Sequence, residues 1–115
     1  MEEIRINEYV RTDNGQIFKV LEVEKGSVKI KSDYREWIGI CCILKHSFNI
    51  IDLIEEGDYV NGNKINCFKI FNNISGEQCL NINYIYTNSL IIPVKDIKSI
   101  VTKEQFESIK YEVIK

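Results

Sequence analysis

Apolar and polar residues alternate with a period of two along much of this chain, and turn residues cut the alternation at short intervals. Val28 and Ile30 alternate with Lys29 and Lys31, which predicts a half-buried strand over residues 27–32. Residues 8–12 and 16–24 read as two earlier strands joined by Asp13-Asn14-Gly15, and Lys25-Gly26 turns the chain into the third. The 16–24 segment is apolar on both faces, with Ile17, Leu21 and Val23 against Phe18 and Val20. So is 36–45, with Ile38, Ile40, Cys42 and Leu44 against Trp37, Cys41 and Ile43, the pattern of a strand covered on both sides. Gly39 and the β-branched content argue against a buried helix there.

The best specified stretch is 46–65, HSFNIIDLIEEGDYVNGNKI. Ser47 or Asn49 can cap a short helix whose face carries Ile50, Leu53 and Ile54, and Gly57 suits the left-handed position that ends it. Residues 58–60 are strand-like, and Asn61-Gly62 takes positive φ at both centres of a type I′ turn, so 63–65 should return antiparallel. Strands over 65–71 and 77–87 follow around a loop at 72–76; in the second, Leu80, Ile82, Tyr84 and Tyr86 alternate with Asn81 and Asn83. Pro93 closes Leu90-Ile91-Ile92 and belongs at a sheet edge or exit, because it has no N–H to donate. Thr102 and Gln105 form a capping box, with Val101 and Phe106 placed for a hydrophobic staple, so a helix should run from Lys103 to about Ile109. Tyr111 and Val113 suggest one last strand. Short strands, Gly-bearing turns and one or two short helices predict a mainly β fold: a small SH3-like, or alternatively OB-like, β-barrel forming a single domain over residues 1–115.

The run NIIDLIEEGDYVNGNKI at 49–65, with EYVRTDNGQIFKV at 8–20 and IKSIVTKEQFESIKYEV at 97–113, resembles a set of short proteins carried by phages and mobile elements of clostridia and related low-GC bacteria. The resemblance weakens over 31–45 and 66–93. It implies a prophage or mobile-element setting and a small β-barrel, and it brings no activity and no site residues with it.

Composition adds two constraints. The chain has 21 Ile and 11 Asn but no Ala, so it lacks the best helix former and favours strands. A net charge of −2 and a pI near 5.5 remove the broad basic field that drives binding to phosphate backbones. MEEIRINEYV lacks the apolar core of a signal peptide, and no stretch nears the roughly 18 apolar residues of a membrane span. The expectation is a cytoplasmic protein with no membrane partner, its four cysteines reduced.

No motif fixes a chemistry. Cys41, Cys42, Cys67 and Cys79 show no Cys-x-x-Cys spacing, and a strand would place Cys41 and Cys42 on opposite faces, so no metal site is expected. His46 has Cys42 and Ser47 nearby but no evident third group to orient it. Asp52, Glu55, Glu56 and Asp58 lack calcium-loop spacing and read as solvated turn charges. No enzyme and no cofactor are expected. The favoured role is a protein-interaction module that binds a host protein, an element-encoded protein or itself, through Tyr34, Trp37, Tyr59, Tyr84 and Tyr86. The alternative is a single-strand nucleic-acid binder that contacts phosphates through Arg5, Arg11, Lys19, Lys29, Lys31 and Arg35.

Overall fold

Where a strand must change partner, its inward-facing positions shift by one, and two such shifts shape the first half of this protein. A computed structural model describes residues 3–30, 37–85 and 89–109. Contacts gather into two compact units, Met1–Leu53 and Ile54–Lys115. The protein is mainly β, built from antiparallel sheets with one short α-helix.

In the first unit, strands β1 (Tyr9–Thr12), β2 (Ile17–Glu24), β3 (Ser27–Ile30), β4 (Trp37–Gly39) and β5 (Ile43–Ser47) pair in the order β4-β3-β2-β1-β5. The meander is as expected, and so are its turns: Gly15 and Gly26 both take positive φ. β2 pairs with β1 through Ile17, Phe18 and Lys19, then with β3 from Val20 onward, and its register slips between Val20 and Glu22. Such an extra residue bends a strand and reverses its faces. Phe18 and Val20 therefore face the core before the slip and Val23 after it. The apolar residues on both faces of 16–24 record this bulge.

The single strand expected over 36–45 is likewise broken in two. The chain leaves β4, makes a 3-10 turn over Ile40–Cys42 and re-enters as β5. β4 pairs with β3, whereas β5 crosses to pair with β1. The Ile40 N–H donates to the Gly26 carbonyl at 3.0 Å and the Asp13 N–H to the Cys42 carbonyl at 2.8 Å, so both ends of the turn are pinned. Ile38 and Ile40, then Ile43, pack into one cluster with Ile4, Val10, Val20, Val28 and Ile30. The helix expected after Asn49 is a 3-10 turn, Ile50–Leu53, with Ile51 and Leu53 buried. Ser47 Oγ accepts the Asn49 N–H and donates to Asp52.

The second unit holds β6 (Tyr59–Val60), β7 (Asn63–Lys64), β8 (Phe68–Asn72), β9 (Gln78–Ile82), β10 (Leu90–Pro93), β11 (Ile100–Val101) and α1 (Lys103–Ile109). They form two three-stranded sheets, β10-β9-β8 and β11-β6-β7. The β6–β7 hairpin is as expected, with Asn61 at φ 49° and Gly62 at φ 81°. The strand expected over 77–87 ends at Ile82, because Asn83 turns out of it at φ 56°. Pro93 ends the edge strand β10. Helix α1 starts as the capping box requires: the Gln105 N–H donates to Thr102 Oγ1, and Gln105 Oε1 accepts the Thr102 N–H. The ring packed on Phe106 is Tyr59, with centroids 4.6 Å apart. The strand expected at 111–113 lies outside the described residues, as do Lys31 and Ser32 of the third expected strand.

Asn61 does more than turn the hairpin. Its Oδ1 accepts the N–H groups of Lys98 and Ser99 at 2.7 and 3.1 Å, and its Nδ2 donates to the Asp96 carbonyl at 2.9 Å. Asn61→Gly keeps the left-handed backbone but loses these bonds, and should cost about 1 kcal/mol in urea unfolding. Asn61→Ala should cost about 1 kcal/mol more, since alanine resists positive φ. Equal stability of Asn61→Gly and wild type would contradict the bracketing role.

Candidate interaction surface

Most side chains able to do chemistry are engaged in holding local structure. His46, on β5 opposite Val10, has its Nδ1 3.0 Å from Glu8 Oε1, and both side chains are largely buried. Glu8 Oε2 accepts the Arg5 N–H at 2.6 Å. With Glu3 and Phe48 these residues line a shallow cleft. Ser47 follows His46 on a strand and so points to the opposite face, where its hydroxyl donates to Asp52; the two do not form a nucleophile and base.

The acidic residues of 52–58 are separated in the same way. Glu55 pairs with Lys103 at 3.1 Å. Asp58, expected as a solvated turn charge, is buried: its Oδ2 accepts the Glu55 N–H at 2.8 Å and its Oδ1 the Lys103 N–H at 3.0 Å. A buried carboxyl group needs hydrogen-bond partners in place of its water, and these two N–H groups supply them. Among the described residues, no group of three or more His, Cys, Asp or Glu side chains is placed to hold a metal ion.

The cysteines require a correction. Because residues 40–42 form a 3-10 turn and not a strand, Cys41 and Cys42 do not point to opposite faces, and their sulfurs lie 4.0 Å apart. Their mutual hydrogen bond, then charge repulsion from Cys41, burial and the Asp13 carboxylate raise the Cys42 thiol above its ordinary value. Cys79 is buried in β9.

The basic set expected to meet phosphate is depleted. Arg11 is 0% exposed and its guanidinium donates to the Leu53 carbonyl at 2.9 Å, so this residue is structural and is withdrawn from the candidate surface. It points to the face of β1 opposite Val10, where a long side chain reaches a backbone carbonyl that the 3-10 turn over Ile50–Leu53 leaves available. Lys29 lies 4.0 Å from Glu22. Arg5 and Lys19 are exposed; Lys31 and Arg35 lie outside the described residues.

The aromatic set divides likewise. Trp37 is 43% exposed at the start of edge strand β4, opposite Lys29, and Tyr84 is exposed on the connection leaving β9. Tyr59 is half-buried under Phe106. Tyr34 and Tyr86 lie outside the described residues. Three aliphatic residues are more exposed, Ile91 at 54% on edge strand β10, Ile85 beside Tyr84 and Ile74 at 108% on the β8–β9 turn, and Leu90 on β10 is exposed to about the same extent as Trp37. Leu90-Ile91 lies on an edge strand, as Pro93 leads one to expect, and among the described residues the outer edge of β10 is unpaired in that sheet. No family model, curated protein or solved structure matches the chain. No helix of the described residues is long and apolar enough to cross a membrane.

If Arg11 is structural, Arg11→Ala should lower stability by about 2–3 kcal/mol through loss of a buried charge-assisted hydrogen bond. Arg5→Ala and Lys19→Ala should stay within about 0.5 kcal/mol of wild type. Urea unfolding measures all three, and wild-type stability of Arg11→Ala would contradict the assignment.

Proposed function

We propose that this protein is a small non-enzymatic protein-interaction module of a prophage or mobile element, acting in the cytoplasm of the cell that carries it. The observation that carries this reading is the apolar, solvent-facing edge strand β10, where Leu90 and Ile91 stand beside a strand edge that is unpaired among the described residues. Soluble proteins usually blunt such edges with charge, bulges or covering segments, and an extended peptide can add to one through backbone hydrogen bonds. Tyr84 and Ile85, on the connection into β10, extend the apolar surface.

The first unit is read as an SH3-like barrel. Support comes from its five-strand order, with a meander of four strands, a 3-10 turn and a last strand that returns to pair with the first. Its exposed Trp37 on β4 offers a second, separate anchor. Single-strand nucleic-acid binding is the weaker reading, because Arg11 is buried and Lys29 sits by Glu22.

The test is a tagged pull-down from a lysate of cells carrying the gene, with and without nuclease, comparing wild type with Ile91→Lys. Ile91 is exposed, so the variant should fold. One protein recovered in near-equal amount despite nuclease, and lost with Ile91→Lys, is the expected result. Recovery that vanishes with nuclease, with nucleic acid in the untreated eluate, would overturn it in favour of the second reading.

A further inference from the structure

The turn over Ile40–Cys42 holds two thiols side by side, Cys41 exposed and Cys42 half-buried, with Sγ atoms 4.0 Å apart. Two outcomes are open to such a pair: a direct sulfur–sulfur bond, or an ion bridging the two. Covalent geometry disfavours the first. Adjacent Cα atoms lie about 3.8 Å apart across a trans peptide, under the roughly 4.4 Å at which unstrained disulfides begin. The turn has little freedom to distort, since its ends are fixed by the bonds from Ile40 N–H to Gly26 and from Asp13 N–H to the Cys42 carbonyl, and the Ile43 N–H closes it onto Ile40.

An ion bridging the sulfurs meets no such obstacle. Two thiolates on one ion, each at about 2.3 Å, stand about 3.8 Å apart at a tetrahedral angle and about 4.6 Å apart in a straight line, so the 4.0 Å already present suits a bent two-sulfur arrangement. We propose that Cys41 and Cys42 form a bidentate dithiolate site for a soft, thiophilic metal ion of low coordination number, of the monovalent copper class. Thiolate donors select soft ions. Among the described residues no third His, Cys, Asp or Glu side chain joins the pair, and two thiolates alone suit an ion satisfied by two sulfurs. Binding balances as two thiols plus one monovalent ion giving a dithiolate complex of charge −1 and two protons released to solvent, so uptake strengthens as pH rises. The preset sulfur spacing favours chelation within one chain, because little ordering is left to occur on binding.

The experiment is transfer of monovalent copper from its bicinchoninate complex to the purified protein under anaerobic conditions, followed by loss of the complex's absorbance. Wild type should withdraw a single equivalent and remain monomeric by native mass spectrometry. Cys41→Ser and Cys42→Ser should each lose that uptake, with circular dichroism unchanged, while Cys67→Ser should retain it. X-ray absorption of the loaded wild type gives a test independent of the variants, and should show two sulfur neighbours. No transfer to wild type, uptake undiminished in both variants, a copper-bridged dimer, or nitrogen neighbours from His46 would each overturn the proposal.

Discussion

A single buried carboxylate fixes the frame of the second unit. Asp58 accepts one N–H from the turn it closes and one from the first residue of α1, 45 positions along the chain. Two residues later Val60 pairs with Ile100, and Asn61 takes hold of Asp96, Lys98 and Ser99. The hairpin at 58–64 thus holds the segment 96–103 at three successive points, each through a backbone group that would otherwise need water. Because Asp58 is excluded from solvent, removing its side chain or either donor leaves a buried group unmatched, a far larger cost than losing a surface ion pair.

Much of this frame can be read in advance from local chemistry. Asn61-Gly62 demands positive φ twice, Thr102 and Gln105 cap one another within four residues, and Pro93 ends a strand; each depends on neighbours in sequence. What escaped reading depends on distant partners. The side chain of Asn61 looks like a turn residue until the segment that it brackets is in place. Arg11 looks like a surface cation until Leu53 presents a carbonyl to it.

Periodicity also misled in a particular way. Apolar residues on both faces at 16–24 and 36–45 can mean a strand covered on two sides, but here they mean one face interrupted by an extra residue. Phe18, Val20 and Val23 share a core, and so do Ile38, Ile40 and Ile43, each set stepping by two and then by three. That step is also what brings Cys41 and Cys42 together. A strand would have separated them, so the reading of the thiols failed together with the reading of the strand.

The polar residues that hold the fold are distinct from the apolar residues that face outward. Arg11, Asp58, Asn61 and the Glu8–His46 pair hold the fold, while Leu90 and Ile91 on β10 face outward and are proposed to meet a protein partner. Site-specific photo-crosslinking tests that assignment most directly. Benzoylphenylalanine is placed at Ile91 and, in a separate protein, at exposed Lys19, and each is irradiated in a lysate of cells carrying the gene. A discrete protein adduct from position 91 and none from position 19 is the predicted result. Nucleic-acid adducts from position 19, with none of any kind from position 91, would contradict it.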